Sequence, residues 1–428
     1  MRVLMLSWEY PPNVVGGMGR HVAELTPPLV RAGVEVHVVT PQTYLPPTKP
    51  DTLAGASTET GSPGWEVTEA GVVVHRAPLA ESSCDIYEQA HKTNEAMQAQ
   101  THSLVESGYD FDLIHAHDWL VVFAAYALKH ELRRPLIATI HATEQGRAHG
   151  GTLYTELQRN IHGAEQWLTY EAWRVIACSH AMASEVQALF HVPPEKIDVV
   201  PNGVYPYQNG QCNGESLAAY QARHGMSDGP VVFTIGRLVH EKGFHRLIEA
   251  IPRILSEFPN AHFIIAGRGP EAPYLEQQAR ALGVADRVFF PGFISDQERN
   301  YLYQVAACAA FPSVYEPFGI VALEAMAAGC PVVVTETGGF REVVRHGRTG
   351  VTVYPDDASS LAWGVLHTLR NPALAAARAE EARQVVRREL RAEEARQVVR
   401  REFNWDTIAS RTIAVYRRVL DERQRVSW

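Results

Sequence analysis

Short apolar runs of four to eight residues, bounded by turn residues and separated by helix-length amphipathic segments, recur along most of the chain. That alternation predicts parallel sheets covered on both faces by helices. In the first half the runs predict strands near Val3 to Leu6, Val34 to Val39, Val72 to His75, Leu113 to His115, Leu136 to Ile140, Val175 to Cys178 and Ile197 to Val200. Around Pro201 the pattern stops. The stretch PNGVYPYQNGQCNGES is rich in Gly, Asn and Pro, as linkers are, so a domain boundary is expected there, with one domain over 1–205 and a second over 206–403. A second series follows, with strands near Val231 to Ile235, His262 to Ala266, Val288 to Phe290, Ala309 to Phe311 and Pro331 to Val334. The expected fold class is α/β, with two Rossmann-like doubly wound domains.

Near the C-terminus AEEARQVVRRE occurs at Ala379 to Glu389 and again, verbatim, at Ala392 to Glu402. At about 100° per residue, the offset between the copies turns the second roughly 220° around a helix, so the two cannot offer one face to one core. One copy is expected to be solvated.

Composition narrows the partners. A chain of 428 residues with 46% hydrophobic content can fill two or three sizeable cores. The net charge is -9, and no long basic run occurs in the first 370 residues or so, which argues against nucleic acid. The five cysteines form neither a CxxC pair nor a disulfide-like framework, which suits a reducing cytoplasm. MRVLMLSWEYPP reads as a first buried strand rather than a leader, and no run approaches the roughly 20 apolar residues of a membrane span. Peripheral membrane contact stays open.

Four segments carry candidate chemistry. Gly16, Gly17 and Gly19 follow the first strand and precede a helix expected near Arg20; glycines let a ligand approach the backbone, and a helix N-terminus suits phosphate. In GRLVHEKG, Gly236, Arg237 and Lys242 follow the strand VVFTI, at the end of an open α/β sheet where ligands bind, and two cations there suit a diphosphate. In EPFGIVALE, Glu316 and Glu324 flank a helix start, where N–H groups of Gly319 and Ile320 are available to a phosphate. Two carboxylates facing a diphosphate would repel it, so these should bind hydroxyls or lie outside the site. DLIHAHDW and TIHATEQG put His115, His117, Asp118 and His141 beyond successive strands. His-x-His at a strand end also holds zinc in metal-dependent hydrolases, which is the rival reading.

With these segments in hand the chain resembles family-4 retaining glycosyltransferases of the GT-B fold. GRLVHEKG, IAGRGPE at Ile265 to Glu271, FPSVYEPFGIVALEAMAAGCPVV at Phe311 to Val333 and Gly338-Gly339 occur in that family's order. The first half resembles its starch and glycogen synthase branch in SxEYPP, GGMG, HAHDW, TIHATEQG and PNGV, and FNWDTIASRTIAVYRRVL looks like the closing helix, about 404–428, that returns to the first domain.

The resemblance implies two domains facing each other across a cleft and transfer of a hexose, glucose first, from a nucleoside diphosphate sugar to a hydroxyl acceptor. UDP- or ADP-glucose is the expected donor, an α-glucan one expected acceptor, and no cofactor or metal is assigned. Arg237 and Lys242 resemble the residues that neutralise the leaving diphosphate, Glu324 the ribose ligand, Glu316 the glutamate facing the sugar, and His141 the histidine beside its C6 hydroxyl. His117 and Asp118 fall on the acceptor side. Gly16, Gly17, Gly19, Gly236, Gly267, Gly269, Phe318, Gly319 and Ile320 complete the donor set. The sequence departs from bacterial glycogen synthases where Val14 replaces a lysine two residues before the diglycine and Tyr205 replaces the usual Asp after PNGV. A mannosyl- or glucosyltransferase acting on a small-molecule or lipid-linked acceptor is the alternative. A non-catalytic carbohydrate-binding relative would be expected to lose Arg237, Lys242, Glu316 or Glu324, and all four are present.

Overall fold

The computed structural model describes residues 1–42, 65–80, 85–205, 217–226, 228–391 and 403–426. They divide into two units, Met1–Gly203 with Asn404–Trp428, and Val204–Phe403.

The first unit is built on the strands β1 (Arg2–Ser7), β2 (Glu35–Gln42), β3 (Trp65–Val67), β4 (Val73–Pro78), β5 (Leu113–His117), β6 (Leu136–Ile140), β7 (Arg174–Ala177) and β8 (Ile197–Val199). Their order across the sheet is β3-β4-β2-β1-β5-β6-β7-β8. All neighbours are parallel except the edge pair β3 and β4. Strands β1, β5 and β6 are rich in apolar residues, and nearly every residue in them is buried, as in parallel strands covered on both faces. The C-terminal helix Trp405–Arg423 follows Asn404, whose side chain accepts the Asp406 N–H as an N-cap. Its buried stripe of Trp405, Ile408, Ala409, Val415, Tyr416 and Val419 joins the core formed by β1, β2, β4 and the helix Gly17–Arg31.

The second unit contains β9 (Val231–Ile235), β10 (His262–Ala266), β11 (Val288–Gly292), β12 (Cys308–Phe311), β13 (Val332–Thr335) and β14 (Val351–Val353), all parallel, in the order β11-β10-β9-β12-β13-β14. This is the doubly wound order in which the winding reverses between the first and fourth strands of the set. The first sheet has the same reversal between β1 and β5. In each sheet the reversal opens a crevice at the carboxyl ends of two adjacent strands, because their following connections leave in opposite directions.

Two expectations need correction. The strands β3 and β14 were not predicted; each has only three residues, too few for periodicity to register. The first helix begins at Gly17 rather than Arg20. The first copy of the duplicated segment lies in the helix Pro372–Arg391 and buries Ala379, Ala382 and Val386 along one stripe. The second copy falls outside the described residues.

A buried polar pair in the first sheet gives this unit a pH dependence. His37 Nδ1 lies 3.0 Å from His75 Nε2, and His75 Nδ1 is buried without a partner. Burial, reinforced by His37, lowers the His75 pKa to about 4, while burial also lowers that of His37 against the pull of Glu35. Between the ordinary value of 6.5 and about 4 the unfolded chain therefore takes up a proton that folded His75 refuses. Stability is full above that window and falls as pH drops through it, by up to about 1.4 kcal/mol per pH unit for each such group. The urea midpoint of this unit should drop between pH 7 and pH 5, and His75→Leu should flatten the drop. An equally steep dependence in the variant would remove His75 from this account.

Candidate functional site

In the second unit the site is built where the winding reverses. The turn after β9 carries Arg237 and Lys242, and the loop after β12 carries Ser313 and Glu316. The two connections are tied by backbone: the Glu241 carbonyl accepts the N–H groups of Val314 at 2.8 Å and Tyr315 at 3.2 Å. Lys242 Nζ then meets Glu316 Oε2 at 2.7 Å, and Ser313 Oγ donates to the same oxygen at 3.0 Å. Glu316 is buried while the Lys242 side chain keeps 22% of its surface. Arg237 is the more open cation, its side chain 44% exposed, with Glu241 at 3.7 Å.

A diglycine holds Glu316 from behind. The Gly339 N–H donates to the Glu316 carbonyl at 2.9 Å. Gly338 has φ +45°, and a Cβ there would lie 2.0 Å from that same carbonyl oxygen. Only glycine permits both the left-handed backbone and the approach. The helix Ile320–Ala328 follows, capped by Gly319 at φ 104°, with no side chain occupying its N-terminus. The Ala322 N–H is spent on the Gly319 carbonyl at 3.0 Å, which leaves the N–H groups of Ile320 and Val321 to a ligand or water. Glu324 is buried on this helix, and Arg299 Nε lies 3.6 Å from its carboxylate.

These pairings resolve the repulsion expected between carboxylates and a diphosphate. Glu316 is neutralised by Lys242, and Glu324 by Arg299, a residue that sequence reasoning missed because it lies on a different helix, Asp296–Val305. A dianionic phosphate group can then draw on Arg237, whose contact with Glu241 is the longest of the three, and on the open helix end.

Several glycines and Phe318 of the expected donor set have packing roles in the fold. The Gly236 N–H is spent on the Ala266 carbonyl at 3.1 Å. A Cβ on Gly267 would lie 1.8 Å from the Gly236 carbonyl oxygen and one on Gly269 2.3 Å from that of Leu238, so IAGRGPE is shaped to let two turns touch. Phe318 is 4% exposed with its ring near Phe403.

The first unit gathers imidazoles at its own reversal. His115 and His117 end β5 on one face of the strand, and His141 follows β6. His117 Nδ1 is 3.1 Å from His141 Nε2. Asp118, at φ 59° and ψ 173°, accepts the His141 N–H on Oδ1 at 2.7 Å and donates its own N–H to the Thr139 carbonyl at 2.9 Å. Such a backbone costs about 1–3 kcal/mol for a non-glycine residue, which these two bonds offset. Asp118 thus acts on His141 by positioning it.

The sequence-based zinc set is corrected here. His115 is already satisfied by the Tyr416 hydroxyl and Thr139 Oγ1, both at 2.7 Å. The ring that joins His117 and His141 is His21, from the helix after β1, with Nδ1 at 2.7 Å from Asn202 Oδ1. Burial depresses the pKa of His21 and His117 well below the ordinary histidine value and brings that of His141 to about 3, so all three are neutral near pH 7.

Two further acids were missed. Glu9 Oε2 accepts the N–H groups of Val15 at 2.9 Å and Gly16 at 3.0 Å, so part of the donor set expected at Gly16, Gly17 and Gly19 is satisfied within the chain. Buried Glu165, its pKa pushed well above the usual carboxylate range by desolvation, accepts the Glu144 N–H at the start of the short helix Glu144–Arg147. The pattern SxEYPP contained Glu9, but only the fold shows what it caps.

Two parallel doubly wound units with these loops define a GT-B glycosyltransferase. Residues 15–207 match the model of Glycosyltransferase Family 4 and residues 219–385 that of Glycosyl transferases group 1. An uncharacterized glycosyltransferase of Methanocaldococcus jannaschii is 36% identical over 425 residues, covering 98% of this chain and 99% of that protein. Glycogen synthase of Mycobacterium tuberculosis is 37% identical over 422 residues, 97% of this chain and 94% of the relative. Sucrose-phosphate synthase from Thermosynechococcus elongatus superposes with a TM-score of 0.77 at 24% identity, over 98% of this chain and 99% of that structure. The chain belongs to glycosyltransferase family 4 and is a glycosyltransferase.

The diglycine yields a prediction specific to this geometry. Gly338→Ala should displace the Glu316 carbonyl and, with it, the Lys242 contact, lowering transfer at least tenfold while costing about 1–2 kcal/mol for the left-handed backbone alone. Gly283→Ala, also at positive φ (+68°) but with nothing within 4 Å of its added Cβ, is the control. Equal activity in the two variants would show that the approach to Glu316 does not matter.

Proposed function

We propose that this protein transfers a hexose, glucose first, from a nucleoside diphosphate sugar to a hydroxyl acceptor with retention at the anomeric carbon. The carrying observation is the arrangement of Lys242, Glu316 and Ser313 beside the open N-terminus of the helix Ile320–Ala328, at the winding reversal of the second unit. UDP- or ADP-glucose as donor and an α-glucan as acceptor are favoured by identity to a glycogen synthase along nearly the whole chain. Val14 and Tyr205, where the synthase pattern has other residues, keep a small-molecule or lipid-linked acceptor as the second reading.

The chemistry follows from charge. As the bond from the anomeric carbon to the diphosphate oxygen breaks, its electron pair passes to the leaving group and the sugar becomes oxocarbenium-like. Arg237, Lys242 and the N–H groups at Gly319 and Ile320 stabilise the developing negative charge. The acceptor oxygen then bonds to carbon from the face the diphosphate leaves, and its proton goes to a diphosphate oxygen. Glu316 faces the sugar hydroxyls and is held by Lys242 and Ser313 for that purpose. Glu324 receives the ribose hydroxyls, with Arg299 holding its carboxylate in place. To His141 we assign the C6 hydroxyl and to His117 and Asp118 the acceptor side, on family resemblance.

Three measurements test this reading. Lys242→Ala, assayed at saturating donor, should lose about 10² to 10³ in turnover while its far-UV circular dichroism stays unchanged. Wild-type turnover would remove the clamp. In calorimetric titration with UDP or ADP, Glu324→Gln should weaken binding at least tenfold, whereas Glu316→Gln should mainly lower turnover; equal wild-type affinity in both would withdraw the ribose assignment. Because Arg and Lys occupy the place a magnesium ion fills elsewhere, EDTA should leave transfer intact. Activity that EDTA abolishes and a divalent ion restores would show the diphosphate to be metal-bound.

A further inference from the structure

The histidine cluster of the first unit holds more ligand capacity than the proposed transfer uses. His21, His117 and His141 each offer a ring nitrogen within 4.8 Å of the other two, and one pair is already at 3.1 Å. In a tetrahedral zinc site with bonds of about 2.0–2.1 Å, ligand nitrogens stand about 3.4 Å apart. Two of the three rings thus sit near the required spacing, and the third needs to close by about 1.5 Å, within the reach of small ring rotations.

Three independent features point to a cation. First, His21 donates from Nδ1 to the Asn202 side-chain oxygen, since an amide oxygen can only accept. That fixes the tautomer with a bare lone pair on Nε2, the outer-shell arrangement typical of a ligating histidine. Second, His117 is fully buried and turns its Nδ1 toward His141 Nε2 at 3.1 Å, so these two nitrogens already face the same space. Third, the ring behind it, His115, is only 4.3 Å away by centroid and is pinned by Tyr416 and Thr139, which limits how far His117 can move.

We propose that His21, His117 and His141 form a binding site for one divalent transition-metal ion, zinc foremost, and that an ion bound there inhibits transfer by occupying His141. Three neutral imidazoles without a carboxylate select zinc, cobalt or nickel over magnesium and calcium, which require oxygen ligands. With three protein ligands, the fourth position is left to water or an anion. The inhibitory half rests on the assignment of His141 to the donor sugar; the binding half does not. It is compatible with catalysis that needs no metal, because the diphosphate clamp lies in the other unit and consists of Arg237 and Lys242.

The test uses the full chain stripped with chelator, then titrated calorimetrically with zinc chloride. One ion per chain should bind, with His21→Gln and His117→Ala each weakening it at least tenfold. Cobalt in place of zinc should give the intense visible bands of a four-coordinate site in the wild type and lose them in both variants, a readout that does not depend on transferase activity. Unchanged thermal unfolding of the metal-free His21→Gln protein guards against loss by misfolding. No stoichiometric binding, or binding that both substitutions leave intact, overturns the site. Added zinc should cut wild-type transfer at least tenfold and spare His21→Gln relative to its own metal-free rate. If zinc binds through these histidines and transfer continues undiminished, the site stands and the inhibition, with the role given to His141, is overturned.

Discussion

The reversal of winding direction at β9 and β12, and at β1 and β5, is the constraint on which the rest depends. Connections that leave neighbouring strands in opposite directions cannot cover the space between them, so each sheet presents two loops side by side at one end. In the second unit those loops are drawn together by the Glu241 carbonyl and by the diglycine packed against Glu316. Those backbone contacts set where the loops stand, and the side-chain bonds of Lys242 and Ser313 to Glu316 follow from that placement.

Charge is handled differently in the two crevices. In the second unit each buried carboxylate among the described residues has a cation within 4 Å, with Lys242 for Glu316 and Arg299 for Glu324, which offsets part of the cost of burying the two acids near the N-terminus of the helix Ile320–Ala328. In the first unit burial removes charge instead. His21, His115 and His117 are held neutral by desolvation, and they bond to Asn202, to Tyr416 and Thr139, and to His141 respectively. Among the described residues, His117 Nε2 and Trp405 Nε1 are the buried side-chain atoms of this cluster left without a partner.

The helix Trp405–Arg423 ties the chain's last described segment to the residues around that histidine cluster. Tyr416 reaches His115, and Trp405 packs edge-on to His21 and fills the space above Gly203, where a Cβ would lie 2.5 Å from the indole. Residues separated by about 300 positions thus help set the orientation of one β5 side chain, through a hydrogen bond inside a buried core.

Sequence by itself determined the layered α/β class and most strands, because buried parallel strands are continuous apolar runs and turn residues mark their ends. It also located the candidate residues, since Arg237, Lys242 and Glu316 fall in loops at strand ends and Glu324 in the helix after the second of them, all places that the pattern marks. Tertiary structure alone decided the partners. Arg299 joins Glu324 from another helix, His21 displaces His115 beside His117 and His141, and Glu9 takes N–H groups that the glycine pattern seemed to leave free. Periodicity reports which face of an element is buried, a local property of backbone geometry. Which side chain stands across a crevice depends on strand order and on the angle at which each helix leaves its strand, and neither is written in the spacing of residues along one segment.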